Sequence, residues 1–318
     1  MAEIGTPTAG GVAAAPPVTP RSATTSRRLG PSPWVALGYL APAFVVYAAF
    51  LLYPLGRAVH LSLFEWDGLT LATFVGFDNY VDVVTDDELR AAFGHALVLI
   101  VFFALVPTAI GLVLAAVLNR AKVRGLTFFR TVVFLPQVVA MVVVGVAWRR
   151  IYAPDGSLND LLGVLGLGLG GLGRAWLGDT TLALPAVGVI GTWVQTGLVT
   201  VLLMAGMSRV PDDRYEAARL DGAGAVREFF SITLPAVRAE LSVALTLTVI
   251  AALKTFDLIY ITTGGGPGNR TSVPSFEVYN RAFRLGEVGS AAAIGVTLTI
   301  IIFAIIFVVT RIGERDTR

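Results

Sequence analysis

Residues 183–208 read ALPAVGVIGTWVQTGLVTVLLMAGMS, a run without a single Asp, Glu, Lys or Arg. A helix needs about 20 mainly apolar residues to cross the hydrocarbon core of a bilayer. Lipid offers no partner to a free backbone N–H or C=O, so such a run is read as a helix, not an open strand. Working outward, the stretches at about 34–56, 94–118, 130–150, 241–263 and 290–311 meet the same test. The sequence therefore predicts an all-α membrane protein with six transmembrane helices. The span at 130–150 carries the weakest signal, with Pro136 near its start and Arg149 and Arg150 at its end. Pro42, Pro54 and Pro107 fall where helix ends or neighbouring helices can absorb them.

The composition agrees. The 318 residues are 55% hydrophobic and 14% charged, with a mean hydropathy of +0.75. A soluble domain carries about 25% charged residues, so most of this surface must face lipid. The net charge of +2 is spread over short loops, which argues against a nucleic-acid partner. There is no cysteine, so disulfides, thiol catalysis and Cys-based metal sites are excluded. The two histidines, His60 and His95, lie far apart in sequence, which argues against a histidine metal site.

Orientation is read from the Lys/Arg bias. With the N-terminus inside, fifteen basic residues fall on the cytoplasmic side, among them Arg27, Arg28, Lys122, Arg214 and Arg311, against eight outside. The first outer loop is acid-rich, with Asp82, Asp86, Asp87 and Glu88. Both termini are thus expected in the cytoplasm. Residues 1–33, rich in Ala, Pro, Thr and Gly, read as a disordered cytoplasmic tail. Residues 34–311 are expected to form the transmembrane body, and 312–318 a short cytoplasmic C-terminal tail. The first apolar stretch is too long for a cleaved signal and is followed by more spans, so it is an uncleaved helix.

The longest cytoplasmic loop, about 209–240, runs VPDDRYEAARLDGAGAVREFFSITLPAVRAEL from Val210. Pro211 and Asp212 can open a helix, and Asp213 to Leu220 are good helix formers. Gly222 and Gly224 break it, Ala225 to Ile232 start a second short helix, and Pro235 turns the chain into the fifth span. This predicts a helix–turn–helix elbow on the membrane surface, exposing charges with Tyr215, Phe229 and Phe230.

Glu216-Ala217-Ala218, then Gly222, then Ile232 and Leu234-Pro235 resemble the EAA loop of binding-protein-dependent ABC importer permeases, at matching spacing and place. Other residues extend the resemblance to about 34–315, toward the carbohydrate-uptake branch that includes the maltose and glycerol-phosphate permease subunits. They are Gly76, Asn79 and Tyr80; Pro154-Asp155-Gly156-Ser157-Leu158-Asn159; Phe256-Asp257-Leu258-Ile259-Tyr260 with Gly265-Gly266-Pro267; and Tyr279 with Ala282-Phe283. The resemblance implies the type I ABC importer permease fold. It also implies a permease that forms half of a pathway for a sugar or sugar-like solute. Its partners would be a second, similar permease, a dimer of ABC ATPase subunits and an extracellular solute-binding protein, in a bacterial cytoplasmic (inner) membrane. The coupling residues carried over are Glu216, Ala217, Ala218, Asp221, Gly222, Ile232, Leu234 and Pro235, with Glu216 meeting a basic residue of the ATPase.

A P-loop needs a lysine between glycine and Ser or Thr. The only lysines are Lys122, between Ala121 and Val123, and Lys254, between Leu253 and Thr255. The chain is thus not expected to be an enzyme, and ATP and magnesium would sit on the partner ATPase. The Gly-rich stretch 163–173 has no lysine and reads as an outer loop.

For the solute path, the resemblance selects Val194 and Gln195 on the fourth span, just past Trp193, and Thr248 and Ala252 on the fifth. Sugars are held by hydrogen bonds and aromatic stacking, which Gln195 with Trp193 could supply together. Helical spacing adds Thr255 to the face of Thr248 and Ala252. Lys254 and Asp257 stand three apart and could pair on one helix face. Ala252 departs from the polar residue of the maltose-type site. An ion-gradient transporter is the competing class; it predicts acidic or histidine relays inside the spans, where only Asp257 lies. A membrane scaffold would need no elbow, and a permease for a polyol phosphate stays open.

Overall fold

The computed structural model describes residues 33–120, 125–166 and 173–314. The expected tail at 1–33, apart from Pro33, which begins the first helix, and much of the Gly-rich loop lie outside them. The chain divides into two compact units. In the first, α1 (Pro33–Tyr47) leads into one π turn, Ala48–Leu52.

The second unit begins with α2 (Tyr53–Leu61) and a small antiparallel hairpin, β1 (Phe64–Glu65) and β2 (Thr73–Phe74), in which Phe64 faces Phe74. Next come α3 (Asp78–Thr85) and a long helix made of α4 (Asp87–Ile100), a π turn and α5 (Val106–Arg120). Asp86 caps α4, its carboxylate accepting from the amides of Glu88 at 2.7 Å and Leu89 at 3.2 Å. Asp87 and Glu88 place negative charge on the positive end of its dipole. The remaining helices are α6 (Leu126–Val138), α7 (Met141–Ile151), α8 (Ser157–Val164) and α9 (Ala183–Met207). They are followed by α10 (Asp212–Leu220), α11 (Ala225–Glu228), α12 (Leu234–Ala236), α13 (Arg238–Leu253), α14 (Asp257–Thr262), α15 (Pro274–Tyr279) and α16 (Val288–Glu314).

Among the described residues, four helical runs are long and apolar enough to cross a membrane, and up to six if each of two bent pairs is one span. Two departures from straight spans matter. The third stretch is α6 and α7, bent by 95° where Val139 and Ala140 leave the helical region. The fifth enters through a 71° bend before Arg238 and ends at Leu253. Lys254, Thr255 and Phe256 separate it from α14, so Thr255 does not continue the helix that carries Thr248 and Ala252. For the same reason Lys254 and Asp257 do not form the expected ion pair.

The stretch quoted first, α9, is the central column. Within its most apolar window 61% is buried, against 28% for Asp87–Leu118 and 17% for Val288–Gly313. Water gives no drive between helices in lipid, so close approach rests on small residues. A Cβ on Gly191 would lie 2.0 Å from the Phe103 ring, and one on Gly197 2.2 Å from the Val133 carbonyl. These contacts draw α9 against the π turn at 101–105 and against α6.

Candidate functional site

Past the end of α9, the loop folds into the expected elbow. Helix α10 stops with two reverse bonds, Ala223 N–H to Ala218 O at 2.9 Å and Gly222 N–H to Arg219 O at 3.0 Å. This is a Schellman turn, and it needs a left-handed residue, supplied by Gly222 at φ +77°. A Cβ there would meet nothing within 4 Å. The backbone conformation, not crowding within the chain, selects glycine.

Two clamps that the sequence reading did not find hold the elbow closed. Arg219 Nε donates to Glu228 Oε1 at 3.1 Å, bridging the glycine turn, and the Glu228 side chain is only 4% exposed. The Tyr215 hydroxyl and Thr233 Oγ1 lie 3.1 Å apart. Tyr215, expected to be exposed, is therefore half-buried and bonded. Opposite charges flanking a glycine turn were the available signal for the first clamp; a Tyr–Thr pair eighteen residues apart gave none.

With its frame clamped, the elbow turns its signature residues outward. Glu216, Ala217, Asp221, Gly222 and Pro235 are exposed, while Ala218, Ile232 and Leu234 are half-buried. Ala217, Ala218, Asp221, Ile232 and Pro235 line one shallow hollow. Glu216 stands beside it without an ion pair or side-chain hydrogen bond within the described residues. An exposed carboxylate next to a hollow of mixed lining, with Arg214, Asp221 and Ser231 beside the alanines, Ile232 and Pro235, is chemically suited to receive a basic group from another chain.

A second place with unused polar capacity lies between α9 and the α13–α14 break. A cavity of about 320 Å³ is lined by Phe103, Gln195, Lys254, Thr255, Phe256 and Asp257, among others. Gln195 is 4% exposed, and its side-chain carbonyl has no partner. A buried acceptor left unpaired costs roughly 1–3 kcal/mol, so a ligand hydroxyl would be favoured there. Of the six residues expected on a solute path, Gln195 and Thr255 reach this cavity. Val194 and Ala252 belong to the hydrophobic core beside it. Thr248 is fully buried and returns its hydroxyl to Ala244 O at 2.8 Å. Trp193 is 44% exposed and packs edge-on against Trp148 at 5.7 Å, so it does not meet Gln195 at one site.

The signature residues at the start of α9 and around it behave differently. Asn79 donates to Ser62 O at 2.9 Å and Phe64 O at 3.0 Å, and the Tyr80 hydroxyl meets Ser62 Oγ at 2.6 Å. Asn159 donates to the carbonyls of Ala153, Pro154 and Arg174, and accepts from Arg174 N–H and Trp176 Nε1. In the Gly265-Gly266-Pro267 turn, Gly266 O accepts from the Thr271 hydroxyl, which also meets that of Thr263. These motifs fasten a cap onto the bundle.

Known proteins resemble this chain over most of its length. Residues 96–318 match the profile of the family described as binding-protein-dependent transport system inner membrane component. A probable ABC transporter permease protein of Bacillus subtilis (strain 168), YurN, is 39% identical over 270 residues, 84% of this chain and 91% of its own. The diacetylchitobiose uptake system permease protein NgcF of Streptomyces coelicolor is 35% identical over 300 residues, covering 89% of this chain and 84% of NgcF. The trehalose/maltose transport system permease protein MalF of Thermococcus litoralis is 33% identical over 286 residues, covering 87% and 94%. A chain from the crystal structure of a bacterial ABC transporter involved in import of the acidic polysaccharide alginate shares the fold. Its TM-score is 0.76 at 21% identity, and the match covers 90% of this chain and 96% of that one.

Proposed function

The chain belongs to the binding-protein-dependent transport system inner membrane component family, and on that premise we propose that it forms half of an ATP-driven import path for a sugar or sugar-like solute. The second half is a similar permease, the energy comes from a dimer of ABC ATPase subunits that hold ATP and magnesium, and the solute arrives on an extracellular binding protein. Both termini and the elbow lie in the cytoplasm, and the cap faces outward. The carbohydrate class is supported by relatives named for diacetylchitobiose and for trehalose and maltose.

The observation that carries the coupling role is Glu216, exposed and unpartnered beside the hollow of a clamped elbow. The ATPase receives the elbow there, Glu216 meeting a basic side chain and Gly222 allowing close approach. Closure of the two ATPase subunits on ATP moves the elbow and biases the bundle between inward- and outward-open states. Gln195 offers the solute a hydrogen-bond acceptor in the cavity.

Because the chain has no cysteine, Glu216→Cys supplies a unique thiol for cross-linking in the purified complex. The expected product joins this chain to the ATPase subunit in a nucleotide-dependent way, and wild-type proteoliposomes given the binding protein take up sugar on ATP without an ion gradient. Uptake driven by a proton or sodium gradient without ATP, with no cross-link in any nucleotide state, would refute this role.

A further inference from the structure

Four aromatic rings lead away from the mouth of the cavity. Phe256, which lines it, stacks on Tyr260 at 5.4 Å and meets Tyr279 at 5.3 Å; Tyr260 and Tyr279 are 5.3 Å apart, and Phe283 follows Tyr279 at 5.5 Å. Two segments far apart in sequence, α14 with its preceding break and α15 with the π turn after it, converge to build this run. Tyr260 is 45% exposed and Phe283 78%, while Phe256 and Tyr279 are half-buried.

Lys254 and Asp257 decide what the run faces. Both are exposed, both line the cavity mouth, and they do not pair with each other. Facing hydrocarbon, each would be an uncompensated charge in lipid, which is strongly disfavoured. The surface beside them therefore borders an aqueous path. A ligand fitted to it must offer flat C–H faces to the rings and hydroxyls to the charges and to the unpaired Gln195 carbonyl. Pyranose rings have that chemistry, since aromatic side chains combine a broad apolar face with a polar handle on tyrosine.

We infer that Phe256, Tyr260, Tyr279 and Phe283 form a stacking track along which the sugar units of an oligosaccharide pass into the cavity. The inference rests on the carbohydrate reading above and adds an entry route to it. A chain of several sugar units engages several rings at once, so the track favours longer saccharides over single sugars.

The test uses the complete importer in proteoliposomes with ATP and its binding protein, offered glucose, maltose, maltotriose, diacetylchitobiose and chitotriose. Phe283→Ala and Tyr260→Ala are compared with Leu69→Ala, a control at a 93% exposed position in the hairpin loop. For the longest saccharide that the wild type moves, uptake falls about three- to tenfold in each ring variant, from the worth of one aromatic contact. The shortest loses much less, and Phe283→Tyr restores uptake. An equal loss for every length, or loss of the second permease from the purified Phe283→Ala complex, makes the rings a subunit contact and overturns the track. Unchanged uptake makes them an interfacial lipid belt and overturns it too. A wild-type complex that moves none of the five sugars removes the carbohydrate reading itself, and the track with it.

Discussion

Two sets of signature residues, one in the cap and one in the elbow, are treated in opposite ways by the chain. In the cap, Asn79, Tyr80 and Asn159 spend their hydrogen bonds on neighbouring carbonyls, amides and hydroxyls of the same chain. In the elbow, Arg219, Glu228, Tyr215 and Thr233 do the fastening, while Glu216 and the hollow beside it are left unused. A motif whose side chains are satisfied internally serves the fold. One held out by other residues serves a partner. Substitutions in the two regions should therefore separate stability from transport.

The largest effect is expected in the cap. In Gly289→Ala the new Cβ would lie 1.8 Å from Phe64 O, and overpacking against backbone costs about 3 kcal/mol or more; thermal unfolding in detergent should show a large drop in midpoint. Next comes Glu216→Ala, where truncating one partner of a charge pair between chains costs about 2–3 kcal/mol. ATP-driven uptake should fall about 30- to 100-fold at an unchanged midpoint; a lowered midpoint would erase the contrast between the regions. Asn159→Ala removes a hub with five hydrogen-bond contacts and should cost about 2 kcal/mol of stability, with uptake per folded complex preserved. Gly222→Asn sharpens the comparison. Asparagine tolerates the left-handed region, so the fold should survive; a several-fold fall in uptake would show that the bare surface matters as well as the turn.

The smallest effect is with pH. The amides of Thr70 and Leu69 hold Asp67 below its ordinary value of 3.8, the Arg150 guanidinium does so for Asp155, and the Thr181 hydroxyl for Asp179. Burial pushes Asp86 up, but the Leu89 and Glu88 amides and Arg281 outweigh it, so it too is lowered. A carboxylate depressed in the folded state stabilises above its unfolded value, and that contribution is lost as pH falls through the folded one. Hydrogen-exchange protection of the cap, corrected for the intrinsic pH dependence of amide exchange, should stay flat from pH 7 to pH 5 and fall only below about 3.9.

The sequence carried the helix count and the elbow because length, charge-free runs and paired glycines are local signals. Residues 212–220 form the helix read from their composition, and Gly222 turns the chain where expected. The 95° bend between α6 and α7 was only hinted at by Pro136. The break at Lys254–Phe256 was hidden, because nothing local distinguishes it from continuing helix, and with it the true surroundings of Thr255. The meeting of Phe256 with Tyr279, and of Asn159 with Trp176, depends on tertiary convergence that no spacing rule reports.

The burial of α9 also bears on how freely this sequence can drift. On α16, outward-facing Ile300, Phe303, Phe307 and Ile312 need only remain oily, so many exchanges among them are interchangeable. Along α9, Gly188, Gly191 and Gly197 face ring or backbone atoms within 2.0–2.4 Å of any added carbon. Relatives that diverge widely at the bundle's rim should therefore keep tiny residues on this one column, making it the most reliable register mark for aligning distant members.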